Sequence, residues 1–222
     1  MMDAVIFDCD GVLIDSETIA HEVEIKALEG LGLVFDPEEF RRKFQGLAVK
    51  SWRKLLDQDH RAQLGRPLPD LFIDNLCSEI SGSILSDIRP IDGAVAAVRA
   101  FGRAKGVASS SPRHELIGKI AGLGLADDFG AHVYSGDDVE HGKPAPDLFL
   151  LAASRLAIEP SRCLVIEDSG HGVAAGIAAG MTVWGFVGGP HCSPDQRAHL
   201  EQKGARRIFS HMNEIAAALR DL

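Results

Sequence analysis

Two aspartates separated by one residue follow the first apolar run of the chain, because AVIF at 4–7 leads directly into Asp8, Cys9 and Asp10. In an extended segment, side chains two residues apart point the same way, so both carboxylates can face one site while the Cys9 side chain faces away. Gly11 then allows the backbone to turn beside them. Aspartates also cap turns without any chemical role. Whether this pair is functional therefore depends on which other groups reach it.

Polar residues of different chemistry follow later apolar runs. They are Ser109, Ser110 and Ser111 after GVA, Lys143 in the loop HGKPAPD, and Glu167 and Asp168 after CLVI. Taken singly, the serines and Asp168 could cap the helices that follow them, and Lys143 could be a solvated loop charge. The carboxyl ends of parallel strands, however, meet at one edge of a sheet. We therefore expect all of these groups to converge on Asp8 and Asp10.

A site with four carboxylates needs a compensating charge. Unit charges about 4 Å apart repel by roughly 4 kcal/mol at an effective dielectric of 20, so some carboxyl groups must protonate or a cation must bind. Oxygen ligands without clustered histidine or cysteine favour a hard ion, and we predict Mg2+ rather than zinc. Carboxylates, Mg2+, a lysine and hydroxyl or amide donors at a helix start are the parts of a phosphoryl-transfer site.

The elements that would position these groups alternate along the chain. Short apolar runs rich in β-branched residues occur at 4–7, 106–110, 131–135, 163–167 and 181–187. They are typical of parallel strands buried on both faces, and the amphipathic or alanine-rich stretches between them predict helices. This alternation predicts an α/β fold, a doubly wound parallel sheet that forms a Rossmann-like core.

One long segment interrupts the alternation. Residues 16–88 show helical periodicity, many charges and no convincing strand. We predict that they form an inserted α-helical cap domain, and that residues 1–15 and 89–222 form the Rossmann-like catalytic core. An insertion after the first strand lies at the carboxyl ends of the strands, where α/β sheets bind ligands.

Composition narrows the class of partner. The 222 residues carry a formal net charge of −9, and phosphate backbones require clustered Lys and Arg, so a nucleic-acid-binding surface is disfavoured. Neither a basic leader nor an apolar run long enough for a membrane span stands out. Four separated cysteines without a CxxC pair indicate free thiols in a reducing compartment. We expect a cytoplasmic monomer with a small-molecule substrate and with no nucleic-acid or membrane partner.

Four stretches carry a resemblance to a known family. FDCDGVLIDSE, VASSS, GKPAPD and VIEDS resemble, in this order, the four motifs of the haloacid dehalogenase-like hydrolase superfamily, and the resemblance covers essentially the whole chain. The similarity is to the subgroup with a helical cap, which includes sugar-phosphate phosphatases and β-phosphoglucomutase. A looser resemblance to 6-phosphogluconate phosphatases rests on FDCDG, on DPEE at 36–39 and on GPHCSP at 189–194.

The resemblance implies a Mg2+-dependent phosphomonoester hydrolase that acts on a sugar or sugar-acid phosphate. By the motif positions, Asp8 would be the nucleophile that forms an aspartyl-phosphate. Asp10 would be the general acid/base, which protonates the leaving alcohol and then activates the hydrolytic water.

The same resemblance implies the binding groups. Mg2+ would be held by the carboxylates of Asp8 and Asp168, by the backbone carbonyl of Asp10 and, directly or through water, by Glu167. The phosphoryl oxygens would be held by Ser109, the amide of Ser110 and Lys143.

A phosphomutase with the same nucleophile is the alternative. Mutase relatives carry an arginine three residues after a glycine that matches Gly46, where this chain has Val49 followed by Lys50, and a histidine where it has Ala20. Both departures weigh against a mutase, although Lys50 and Arg113 could still contact a distal anion. We therefore assign Gly46, Lys50 and Arg113 to substrate binding.

Two further interpretations are weaker. Dehalogenation attacks carbon and needs neither a metal nor an acid for a leaving alcohol, so the acidic residues Asp10, Glu167 and Asp168 count against it. A non-catalytic module that merely keeps the fold would not need Asp8 and Lys143 intact.

Overall fold

The computed structural model describes residues 1–36, 40, 43–44 and 49–222, and the side chains of all of these except residues 49–51. The chain forms two compact units. The larger comprises Met1–Glu17 and Ile88–Leu222, and the smaller comprises Thr18–Asp87. The change from one unit to the other falls in the first turn of helix α1 (Ser16–Gly30).

In the part of 18–87 that the structure describes, the smaller unit consists of helices joined by turns and irregular segments, and no strand is present there. After α1 it contains α2 (Val49–Leu64) and α3 (Phe72–Ser86). An apolar cluster holds this unit together, and its buried aromatic members are Phe40, Phe44 and Trp52. The Phe40 and Phe44 rings lie 4.7 Å apart, and the Phe44 and Trp52 rings lie 6.3 Å apart, edge to face. The unit therefore has a hydrophobic core of its own.

The larger unit is built on a six-stranded parallel sheet. The strands are β1 (Ala4–Phe7), β2 (Ala104–Ser109), β3 (Val133–Ser135), β4 (Cys163–Glu167), β5 (Thr182–Phe186) and β6 (Arg207–Phe209). Their spatial order is β3-β2-β1-β4-β5-β6. All five runs predicted from the sequence are strands, and the α/β fold with a parallel sheet is confirmed. The sixth strand, β6, has only three residues and was not predicted from the sequence.

Helices connect the strands and cover the sheet. They are α4 (Ala94–Ala100), α5 (Arg113–Gly122), α6 (Ala126–Phe129), α7 (Asp147–Leu156), α8 (Gly170–Ala178), α9 (Gln196–Gln202) and α10 (Met212–Arg220). None of the described helices is both long and apolar enough to cross a membrane.

Both faces of the central strand β1 are buried. Ile6 packs in one apolar cluster with Phe149 of α7 and Val173 of α8. Phe7, which points to the opposite face, lies 6.3 Å from the Phe129 ring of α6. Because both faces are buried, the sequence of β1 is apolar at every position rather than alternating between apolar and polar residues.

The strand order places β1 at the point where the connections reverse direction. Phe7 is in register with Val107 of β2 and with Ile166 of β4. The residues that follow these three strands therefore leave the sheet side by side, at the edge where open α/β sheets bind ligands.

Candidate active site

Asp8 leaves the sheet directly after β1 and is the centre of the site. Its backbone N–H donates to the Ile166 carbonyl at 3.0 Å, so it continues the ladder toward β4. Its side chain is buried, and Oδ1 lies 2.6 Å from Lys143 Nζ. The same ammonium lies 2.6 Å from Glu167 Oε1 and 3.0 Å from the Ala108 carbonyl. Lys143 thus joins the ends of β1, β2 and β4 from its loop before α7.

Asp8, Glu167 and Asp168 form a buried acidic cluster. Each can offer one carboxylate oxygen so that the three oxygens lie within 4.8 Å of one another. Burial raises the pKa of Asp8 well above its usual range, although Lys143 acts in the opposite direction. Burial likewise raises the pKa of Asp168. Burial alone would lower the pKa of Lys143, but the carboxylates of Asp8 and Glu167 outweigh it, and the net shift is upward.

The donor set of this cluster fits a hard divalent cation. Three buried carboxylates carry more negative charge than the single ammonium of Lys143 neutralises, and all the candidate ligand atoms are oxygens. Such a set suits Mg2+ better than a soft metal. The prediction that Asp8, Glu167 and Asp168 come together at the strand ends agrees with this arrangement.

Asp10 faces a different set of partners. Its Oδ2 accepts from Ser111 Oγ at 2.5 Å and from Ser109 Oγ at 3.1 Å, and its Oδ1 lies 2.8 Å from Lys119 Nζ. Burial would raise the pKa of Asp10, but the Lys119 ammonium and the hydroxyls of Ser111 and Ser16 lower it below the usual value. The pKa of Asp8 is therefore raised and the pKa of Asp10 is lowered.

Lys119 was not among the site residues predicted from the sequence. It occupies a core-facing position of α5, between the buried Leu116 and Ile120, and only 2% of its surface is exposed. A lysine in a helical stripe of apolar residues is the signal that could have revealed it, since lysine is almost never buried without a partner.

Ser109, Ser110 and Arg113 are three of the predicted substrate-binding residues, and the structure describes all three. Ser109 is buried at the end of β2, and Ser110 is exposed immediately after it. Arg113 pairs with Asp138 through its guanidinium, and its backbone N–H donates to Asp137 at 2.8 Å. These contacts place Arg113 against the loop after β3, where it lines a cavity of about 440 Å³.

Two further predicted substrate-binding residues are not placed. Gly46 lies outside the described residues. The backbone of Lys50 belongs to α2, but its side chain lies outside the described part of the chain.

His191 is a neighbour of the acidic cluster that was not predicted from the sequence. Its Nε2 lies 2.7 Å from Asp168 Oδ2, while Gln196 Nε2 donates to the Asp168 backbone carbonyl at 2.5 Å. Burial would lower the pKa of His191, but the hydrogen bond with Asp168 outweighs it and raises this pKa to about 10. The GPHCSP run at 189–194 carried part of the resemblance, but the run alone does not show which of its side chains would point into the site.

Two glycines make room for these groups. Gly11 has φ +76°, and a Cβ there would lie 2.1 Å from Asp168 Oδ2. At Gly172, in the first turn of α8, a Cβ would lie 1.7 Å from Glu167 Oε1. Glu167 is also held from the other side, since Ser169 N–H and Oγ both donate to its Oε2 at 3.0 Å. Any side chain at either glycine would displace a carboxylate of the cluster.

The match to known proteins decides the family. Residues 2–180 match the haloacid dehalogenase-like hydrolases. The chain belongs to this family. The resemblance carried by the four motifs is thereby confirmed, and with it the α/β fold with an inserted helical region.

Three relatives illustrate the family in which this hydrolase lies. It is 29% identical to 6-phosphogluconate phosphatase of Escherichia coli (strain K12), over 87% of this chain and 86% of the relative. It is also 29% identical to the phosphorylated carbohydrates phosphatase of Thermotoga maritima, over 90% and 91% of the two chains. A crystal structure of a HAD family hydrolase from Deinococcus radiodurans, with bound phosphate and sodium, is 37% identical, with a TM-score of 0.85 over 99% of this chain and 96% of that one.

The family and these relatives establish the reaction class. The hydrolase is a phosphatase of the haloacid dehalogenase type, a phosphoric monoester hydrolase. The oxygens of its buried acidic cluster, Asp8, Glu167 and Asp168, lie close enough together to hold a metal ion.

Proposed function

We propose that this phosphatase hydrolyses a small phosphorylated sugar or sugar acid, with Mg2+, through a phosphoryl group carried on Asp8. The observation that carries the proposal is the Lys143 ammonium, which lies 2.6 Å from both Asp8 and Glu167 inside the buried acidic cluster. A buried lysine between carboxylates at the ends of two adjacent strands is difficult to explain as packing, because desolvating these charges costs several kcal/mol per ion.

Mg2+ would be held by the carboxylates of Asp8 and Asp168, by the backbone carbonyl of Asp10 and, directly or through water, by Glu167. When bound, it would supply positive charge that offsets the charge on the phosphoryl oxygens. His191 and Gln196 hold Asp168 from outside this set, by its side chain and its backbone carbonyl respectively.

Asp8 supplies the nucleophile in this proposal. Its carboxylate oxygen attacks phosphorus, and the bond from phosphorus to the leaving oxygen breaks with its electron pair on that oxygen. Asp10 gives a proton to the leaving alcohol. In the second half of the reaction, the Asp10 carboxylate takes a proton from water, whose oxygen attacks phosphorus and releases phosphate and the free Asp8 carboxylate.

Ser109, the Ser110 amide and Lys143 are the proposed donors to the phosphoryl oxygens. Ser109 Oγ donates to Asp10 in the present structure at 3.1 Å. A hydroxyl can rotate and redirect its hydrogen, so Ser109 can turn from Asp10 to a phosphoryl oxygen without moving the backbone.

The names of the relatives support the substrate class. Two of them act on 6-phosphogluconate and on phosphorylated carbohydrates, and the crystallised relative from Deinococcus radiodurans contains bound phosphate. We extend this class to the present chain as a proposal.

A panel assay tests the proposal. Phosphate release is measured with sugar phosphates, sugar-acid phosphates and nucleotides, in Mg2+ and in EDTA, beside an Asp8→Asn control. We expect Mg2+-dependent release, with a preference for one sugar or sugar-acid phosphate, and no turnover by the variant. Preferred hydrolysis of nucleotides would contradict the substrate class. In a parallel reaction on β-glucose 1-phosphate, formation of glucose 6-phosphate without free phosphate would identify a mutase instead.

A further inference from the structure

Lys119 stands out among the described lysines because it is buried on a helix rather than in a strand-end loop. Its side chain is 2% exposed, and its ammonium reaches two polar groups of the site. Nζ lies 2.8 Å from Asp10 Oδ1 and 2.8 Å from Ser111 Oγ. The carboxylate of Glu115, one turn earlier on α5, lies farther away at 3.6 Å.

The contacts divide the two oxygens of Asp10 between different partners. Lys119 occupies Oδ1, whereas the hydroxyls of Ser109 and Ser111 both reach Oδ2, and Ser16 is a further hydroxyl partner of the same carboxyl group. An ammonium has three donors and no acceptor, so a hydrogen cannot sit on Oδ1 and point toward Lys119. A hydroxyl can donate or accept, so either serine can accommodate a hydrogen on Oδ2.

We propose that Lys119 is a positioning residue that holds the Asp10 carboxyl group by Oδ1 and so reserves Oδ2, on the side of Ser109, as the oxygen that carries the proton. This inference rests on the acid/base role of Asp10 in the proposed function. Lys119 remains an ammonium throughout. The proton moves only between Asp10 Oδ2 and the leaving alcohol or the attacking water.

A different explanation is that Lys119 only neutralises a buried carboxylate. That role would affect folding and the amount of active protein, and would lower the rates on all substrates by the same factor. A positioning role affects the proton-transfer step selectively. Its loss should matter most when the leaving group is a poor one, because such a group depends most on being protonated.

Two probes separate these explanations. Phenyl phosphate and 4-nitrophenyl phosphate have leaving groups of similar shape, but phenoxide is the more basic and needs the proton more. The quantity measured is kcat/KM for 4-nitrophenyl phosphate divided by kcat/KM for phenyl phosphate, in the full-length protein with Mg2+.

Lys119→Met keeps the length and apolar stem of the side chain and removes its charge. We expect the ratio to rise by about tenfold or more, a part of the roughly 10² to 10⁴ that positioned proton transfer contributes. Glu115→Gln is the matched control on the same helix, since it removes the charge of another carboxylate that lies near the Lys119 ammonium, and its ratio should equal that of the wild type. Lys119→Gln is the second neutral variant, in case methionine at this position does not fold.

Asp10→Asn separates failure of this inference from failure of the proposed function. If Asp10→Asn leaves the ratio unchanged, Asp10 is not the acid and the proposed function fails in that part. If Asp10→Asn raises the ratio but both neutral variants of Lys119 lower the two rates equally, Lys119 only neutralises charge and the inference is overturned. In the Asp10→Asn background, Lys119→Met should cause no further change in the ratio, because the two residues act in one step.

Discussion

At the residue scale, Asp8 and Asp10 differ in their partners rather than in their own chemistry. Asp8 lies among other buried carboxylates, and its pKa is raised by burial. Asp10 is surrounded by an ammonium and hydroxyl donors, and its pKa is lowered by them. The Asp10 carboxylate is thus stabilised in the form that accepts a proton from water, whereas Asp8 depends on added positive charge to remain a carboxylate.

Lys143 places its positive charge directly beside the Asp8 carboxylate, at 2.6 Å. Lys143→Met should lower kcat/KM by about 10² to 10³, because one preorganised donor is worth roughly 2.7 to 4 kcal/mol. It should also lower the unfolding midpoint, since it leaves the buried carboxylates of Asp8 and Glu167 without their partner. Steady-state kinetics on folded protein measure the first effect.

Lys105→Met is the matched control for this prediction. Lys105 is a half-buried lysine in β2 whose ammonium lies 3.6 Å from Asp128, away from the acidic cluster. Its loss should leave kcat/KM essentially unchanged, because its ammonium bonds to Asp128 and to the Val98 carbonyl rather than to a group of the acidic cluster. A loss of less than tenfold in Lys143→Met would remove Lys143 from the phosphate-binding role.

The site residues that directly follow strands could be predicted from the sequence, whereas those contributed by a helix and by a turn could not. Asp8, Glu167 and Asp168 could be placed because strand ends share one edge of the sheet. Lys119 and His191 could not, because a helix side chain and a turn side chain meet the site only after tertiary packing has set their directions.

At the element scale, the close approach of α8 to β4 shapes the acidic cluster. Ser169 caps α8 by accepting from Gly172 N–H at 3.0 Å, and it donates to Glu167 at the same time. One residue thus fixes both the start of the helix and the orientation of a candidate metal ligand. The absence of a side chain at Gly172 is what lets Glu167 lie over the first turn of the helix.

Gly172→Ala tests this close packing. The new Cβ would lie 1.7 Å from Glu167 Oε1, so the carboxylate must shift. We expect a loss of about 1 to 3 kcal/mol in the free energy of unfolding, typical of overpacking, together with weaker Mg2+ binding. Urea unfolding and titration calorimetry measure the two effects.

Gly82→Ala is the control, because Gly82 is also a helical glycine but a Cβ there meets nothing within 4 Å. Replacing an exposed helical glycine by alanine should raise stability by up to about 1 kcal/mol. If both variants were stabilised, the packing of α8 on Glu167 would not be as close as described.

Element prediction from the sequence succeeded where a strand is long and buried on both faces. β1 and β4 coincide with the predicted runs at 4–7 and 163–167. β6 was missed because its three residues, at the edge of the sheet, begin with an exposed arginine and give too short an apolar signal. Parallel pairing with β5, rather than an apolar pattern of its own, defines β6 as a strand.

At the scale of the whole molecule, the phosphatase is acidic and concentrates buried negative charge at one edge of its sheet. The formal net charge is −9, and three carboxylates of the cluster are buried. Such an arrangement carries an electrostatic cost that a bound cation removes, so folding and cation binding should be coupled.

Mg2+ should therefore raise the thermal unfolding midpoint. At a concentration about 100 times the dissociation constant the stabilisation is about 2.7 kcal/mol, or about 5 to 10 °C for a chain of this size. Asp168→Asn should lose most of this increment. Asp128→Asn, which removes a half-buried carboxylate that is paired with Arg99 and lies outside the cluster, should keep it. If Mg2+ raised the unfolding midpoint equally in the wild type, Asp168→Asn and Asp128→Asn, the ion would bind outside the acidic cluster.

The most direct test of the account is whether the phosphoryl group passes through Asp8. Enzyme mixed with 4-nitrophenyl phosphate and Mg2+ is quenched in acid within the first turnover, and the protein is analysed by peptide mass spectrometry for a hydroxylamine-sensitive phosphoryl group. The account predicts this group on Asp8 in the wild type and neither label nor turnover in Asp8→Asn. Turnover that persists in Asp8→Asn, or a label on another residue, would contradict it.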